Sequence, residues 1–146
     1  MVRNIKRQNR DAGSALVEFA VSLVTILTLL FGTIDIGRAL YAYDWVANAP
    51  RVATRFAMVR GKNCTVLSGG CPAQAADVTA YVKTLADGID ITQLIVTTQC
   101  SGATASPPCA PTANVKVTVQ YTFKFVSPML PLSWTMQSQS QRVVQN

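Results

Sequence analysis

The chain has no histidine, and past Gly61 its only side-chain carboxylates are Asp77, Asp87 and Asp90. Without histidine the commonest general base is missing, and the three carboxylates belong to a helix and its C-terminal turn, where solvation or turn formation is their ordinary use. No glycine pattern that cradles phosphate and no cluster with metal-ligand spacing is present. The expectation is a protein that is not an enzyme and takes no cofactor or metal. Charge is sparse as well, at 14% of residues. Half of the net charge of +6 sits in Arg3, Lys6, Arg7 and Arg10 against Asp11, a short N-terminal cluster that does not make a nucleic-acid-binding face. A chain of 146 residues supports at most one ordinary soluble domain, and a small one if its first third is spent elsewhere.

The basic cluster leads into a long apolar run. Between Ser14 and Ile34 the only charged side chain is Glu18. As a helix this stretch reaches roughly 30 Å, the thickness of a bilayer's hydrocarbon core. A basic flank before it places the N-terminus in the cytoplasm, by the positive-inside rule. The run is longer than the apolar core of a secretory signal, and the small-residue stretch Ala47-Asn48-Ala49 lies too far beyond it to read as a signal-peptidase site.

The helical pattern continues. Trp45, Ala49, Val52, Phe56 and Val59 form an apolar stripe, with Asp44, Asn48, Arg51 and Arg55 as its polar counterpart. One helix to about Arg60 is expected, kinked at Pro50, ended at Gly61, and packed through the Trp45 stripe on the C-terminal domain or on another subunit. A second helix is expected from Pro72 to Asp87, with Ala75, Val78, Val82 and Leu85 at helical spacing. Leu94 to Cys100 and Asn114 to Val126 read as strands, the latter alternating Val115, Val117, Val119, Tyr121, Phe123 and Phe125 with polar residues. Trp134 to Val144, rich in Gln and Ser, reads as an edge strand.

Cys64, Cys71, Cys100 and Cys109 all lie beyond the apolar run. An even number in a small domain outside the cytoplasm points to disulfides, with three connectivities open. Cys64 with Cys71 and Cys100 with Cys109 is favoured, because each pair closes a loop of turn-forming residues. Zinc is the competing reading, and the intervals are longer than paired thiolate ligands ordinarily have. The fold class is therefore α+β: a long N-terminal transmembrane helix continues into a small extracytoplasmic domain, in which a second helix packs on a short antiparallel sheet. The expected divisions are a basic leader over 1–13, the helix over 14–60 and a disulfide-stapled domain over 61–146.

Glu18 requires a reason, since intramembrane charges are costly and mark functional sites by default. A basic leader, Gly13, four residues, then Glu18-Phe19 and an apolar helix resembles the processing site of type IV prepilins, particularly the Flp-type pilins and pseudopilins of tight-adherence (Tad) systems. FGTIDIGRALYAYDWVANAPRVATRFA, residues 31 to 57, resembles the continuation of the TadE-like family of pilus assembly proteins, with its Asp-hydrophobe-Gly-Arg span end and Asn-Ala-rich stretch. Pro50 and the cysteine-bearing domain depart from that pattern.

The resemblance implies cleavage between Gly13 and Ser14 by a prepilin peptidase, which makes Ser14 the first and Glu18 the fifth residue of the mature chain. It further implies that Glu18 neutralises the new α-amino group of a neighbouring subunit. The implied protein is a minor pilin or pseudopilin of the bacterial inner membrane, single-pass with its C-terminal domain outside and incorporated in or assisting a surface pilus. Its partners are other pilin subunits, the assembly machinery and the peptidase, with adhesion and biofilm formation as consequences. The alternative from another class is an uncleaved, single-pass membrane-anchored binding module, indifferent to Glu18. Asp35 and Arg38, three apart on the helix, read as an ion pair.

Overall fold

The computed structural model describes residues 3–65, 71–101, 106–126 and 133–145, with side chains from Gly13 onward. The interiors of the two cysteine loops, 66–70 and 102–105, and the residues before Arg3 lie outside that description. One helix, α1 (Arg3–Val59), runs unbroken through Pro50. After it come α2 (Ala75–Thr84), a short 3-10 turn (Ile91–Gln93), and strands β1 (Leu94–Cys100), β2 (Asn114–Lys124) and β3 (Ser133–Val143). The strands form one antiparallel sheet in the order β1-β2-β3. The chain is α+β, with an N-terminal helix long and apolar enough to cross a membrane.

The alternation of β2 dictates the layering. Val115, Val117, Val119, Tyr121 and Phe123 are buried on one side of the central strand, and the C-terminal half of α1 lies over them. Val126 N–H meets the Asp35 carboxylate near the start of that half, and Gln145 N–H donates to Met58 O near its end. β2 therefore runs antiparallel to α1, and β3 parallel to it. On β1, Val78 and Val82 of α2 supply the cover.

The face α1 turns to the sheet is Ala39, Ala42, Val46, Ala49, Ala53 and Ala57, with Pro50 and Thr54 beside them. This differs from the expected Trp45 stripe. Val52 and Val59 are exposed, Trp45 and Phe56 only half-buried, so the true seam is turned by about 100°, one residue's rotation. Size explains the difference. Bulky Val and aromatic side chains of the sheet fill the interlayer space, so the helix contributes its small residues there and sets its large ones at the margins. Phe56 stacks on Tyr81 at 4.2 Å, with the Arg60 guanidinium 4.0 Å from the Phe56 ring centroid. Pro50 is accommodated within a continuous helix, and Thr54 Oγ1 donates back to Pro50 O.

The second helix is shorter than its apolar spacing predicts. The Asp77 carboxylate accepts from Gln74 N–H at 2.9 Å, which caps the helix three residues into the expected segment. At the other end Trp45 Nε1 donates to Leu85 O at 3.0 Å and Tyr41 Oη to Asp87 O at 2.8 Å. These bonds draw the carbonyls after Thr84 toward α1, and Gly88, at φ 69°, completes the reversal. Asp90 then caps the 3-10 turn by accepting from Thr92 N–H and Oγ1, and these two bonds hold its carboxyl below the usual carboxylate range.

Cys64 is bonded to Cys71 and Cys100 to Cys109, with Cα separations of 5.6 and 5.5 Å. No thiolate is left to ligate zinc. Each short loop is worth about 2.5 kcal/mol in the chain-entropy account.

Because Ala53 is fully buried between helix and sheet, Ala53→Leu is expected to destabilise the C-terminal domain by about 1–3 kcal/mol through overpacking, while Val52→Leu on the exposed side leaves it unchanged. Denaturant unfolding in detergent, monitored by tryptophan fluorescence, checks both.

Candidate functional site: an exposed apolar helix and its junction

Two stretches of α1 differ in everything but their backbone. Beyond Asp35 the helix has a buried face; from Gly13 to Ile34 no residue is buried. Leu16, Val17, Phe19, Val21, Val24, Ile26, Leu29 and Leu30 are all about half exposed or more. A contiguous apolar surface of this extent on a soluble monomer is unstable in water and requires a lipid or protein cover. The most apolar window of the helix has a mean hydropathy of 2.2.

The polar residues of this stretch fit an apolar surrounding. Thr25 Oγ1 donates to Val21 O at 2.9 Å, Thr28 Oγ1 to Val24 O at 2.8 Å and Thr33 Oγ1 to Leu30 O at 2.8 Å, so each hydroxyl proton is satisfied within the helix. Glu18 is different. It is exposed and carries the stretch's single charge. It stands four residues after Ser14, about 6 Å along the axis and on nearly the same face. Phe19 beside it is also exposed, at 66%. At Gly13 a Cβ would meet nothing, so the Gly13–Ser14 peptide is sterically open on a helix that continues through it.

The exposed stretch ends at a fixed point. Asp35, with a side chain only 6% exposed, is paired through Oδ1 with Arg38 Nη1 at 3.2 Å and accepts from Val126 N–H at 3.3 Å. The Arg38 guanidinium also lies 5.5 Å from the Phe123 ring centroid, and Phe123 meets Phe125 edge to face at 5.1 Å. The expected strand to Val126 therefore stops at Lys124, because the Val126 amide turns to α1 instead of continuing the ladder. The ion pair is readable from spacing; the Val126 contact, 91 residues away in sequence, has no local signal.

Residues 13–55 match the family model of the TadE-like proteins. The matched stretch covers less than a third of the chain. It runs from Gly13 through Glu18, the Asp35–Arg38 junction and the alanine face, and ends in the last turns of α1. No curated protein and no solved structure matches the chain. The TadE-like segment is thus the exposed helix together with the half that packs on the sheet, and the cysteine-bearing part lies beyond it.

The junction yields a direct test. Asp35→Ala removes the acceptor of a backbone N–H and the partner of Arg38, at an expected cost of about 1–3 kcal/mol. Amide exchange at Val126 should accelerate, whereas Asp35→Asn, which keeps an acceptor oxygen, should preserve part of the protection. Unchanged exchange in the alanine variant would show that Asp35 does not fix the junction.

Proposed function

We propose that this chain is a non-catalytic minor pilin or pseudopilin in the assembly of a Tad-type pilus. The observation that carries the reading is the lone charge of Glu18, five residues after Gly13, in the apolar stretch from Gly13 to Ile34 where no residue is buried, within a segment that matches the TadE-like family. TadE-like pilus proteins are structural, which supports a role in packing and not in chemistry. In this reading residues 1–13 are a leader that a prepilin peptidase removes between Gly13 and Ser14, 14–60 the membrane and assembly helix, and 61–146 the domain outside the cytoplasm.

The physical logic concerns charge. A new α-amino group at Ser14 stands at the positive end of the helix dipole, where a further positive charge is unfavourable. A carboxylate and an ammonium are each costly in an apolar bundle and tolerable as a pair. Glu18 of an incoming subunit, docked beside the Ser14 amine of one already present, satisfies both and sets their stagger at about one helical turn. Such pairing selects a subunit in register over one that is merely apolar. The partners are then other pilin subunits and the assembly machinery, and surface adhesion and biofilm formation result from the assembled pilus.

Glu18→Ala is expected to insert in the inner membrane at wild-type levels yet lose most incorporation into sheared surface pili, with Glu18→Asp intermediate. Wild-type pili in the alanine variant would overturn the assembly role and favour the uncleaved, membrane-anchored binding module.

A further inference from the structure

Among the described residues, the core of the C-terminal domain ends before its sheet does. The side of β3 that faces α1 is buried at Met136, as is Val144 just past the strand, but Trp134, on that same side and paired with Phe123, is 55% exposed. At the same end of the sheet Val126 is 67% exposed and Phe125 half-buried, and on α1 itself Leu40 and Ile36 are 64% and 59% exposed. This end of the sheet meets α1 where the exposed apolar stretch ends, since Val126 is bonded to Asp35 and Phe123 lies under Arg38. The apolar base is continuous with the span.

Its height is set by helix geometry. With Ser14–Ile34 filling about 30 Å of hydrocarbon, Asp35 stands at the outer edge of that layer, and the headgroup region extends about 5–7 Å further. Arg38, the residue level with Phe123 and hence with Trp134, is roughly 4.5 Å past Asp35 along the axis. Trp134 therefore falls inside the headgroup layer, where an amphipathic indole is favoured. Trp45 is roughly 15 Å past Asp35 and falls outside it.

We infer that the base of the outer domain, centred on Trp134 with Val126 and Phe125, seats in the headgroup layer of the outer leaflet of the membrane that α1 spans. The charges at this end are mixed: Lys124 and Arg38 stand against Asp35, Asp87 and Asp90, and the charge of Lys124 acts on the Asp90 carboxyl. The contact is accordingly one of aromatic and apolar insertion, which zwitterionic lipid satisfies. Seating holds the domain at one height and tilt before assembly, so the exposed helix is offered to a neighbour in a fixed orientation. The inference rests on the reading of Ser14–Ile34 as a membrane span.

The chain's two tryptophans make the test. The full chain is reconstituted at high dilution in phosphatidylcholine vesicles carrying bromine at the upper acyl carbons, and wild type is compared with Trp45→Phe and Trp134→Phe. Bromine is expected to quench Trp134 at least roughly twofold more than Trp45, with less quenching of Trp134 by bromine near the chain ends. Equal or weaker quenching of Trp134 in chains that float with the vesicles would overturn the seat while leaving the span intact. Chains that do not float would overturn the span and the seat together. Emission from Trp134 that responds to protein concentration but not to bromine would assign the base to a second copy and overturn the lipid contact. If Trp45→Phe fails to fold, the difference between wild type and the exposed-site variant Trp134→Phe isolates the same signal.

Discussion

The bond from the Val126 amide to the Asp35 carboxylate, beside its ion pair with Arg38, fixes where an exposed helix becomes a buried one. Everything else in the fold is arranged around that point. From Gly13 to Ile34 the hydroxyls of Thr25, Thr28 and Thr33 are bonded within α1, and Glu18 is the single charge among exposed apolar side chains. After Asp35, the same helix turns alanines toward a sheet of valines and aromatics. A continuous helix transmits orientation across the boundary without a hinge, so the attitude of the outer domain is set by the helix and by whatever surrounds the helix.

The alanine seam has a consequence for assembly. Small residues let the sheet approach α1 closely and leave the large and charged residues of the helix, Tyr43, Asp44, Arg51 and Arg55, on its outer side. The sheet and α2 thus occupy one side of α1 and leave these residues exposed on the other. In the proposed assembly, a neighbouring helix that meets Glu18 would continue alongside this exposed side without displacing the sheet. The disulfides Cys64–Cys71 and Cys100–Cys109 lie beyond this helix, with Cys64, Cys100 and Cys109 buried.

Much of this architecture was legible in the chain, for physical reasons that vary by element. The strict alternation of Asn114–Lys124 marked a half-buried strand, and its single buried face implied the helical cover. The apolar run after Asp11 marked the exposed helix, and the Asp35–Arg38 spacing marked their pair. Other features depend on distant partners. The seam of α1 was misplaced by one residue because large apolar side chains outweigh alanine in any periodicity, whereas packing against a bulky sheet favours alanine. The ends of α2 are set by Asp77 and by the reach of Tyr41 and Trp45 to carbonyls about forty residues on. The exposure of Trp134 was likewise hidden, since its strand pattern places it on the core side. Glu18 was conspicuous from the sequence alone, as the single charge in an apolar run, and its surroundings in the assembled state are what the proposed pairing supplies.

The proposed pairing of Glu18 with a new N-terminus between subunits requires that α1 be processed. Mass spectrometry of the membrane-extracted protein from cells with and without the prepilin peptidase tests this. The expected chain starts at Ser14 when the peptidase is present and retains residues 1–13 when it is absent. An intact leader in both would contradict the pairing, since there would then be no Ser14 amine for Glu18 to meet.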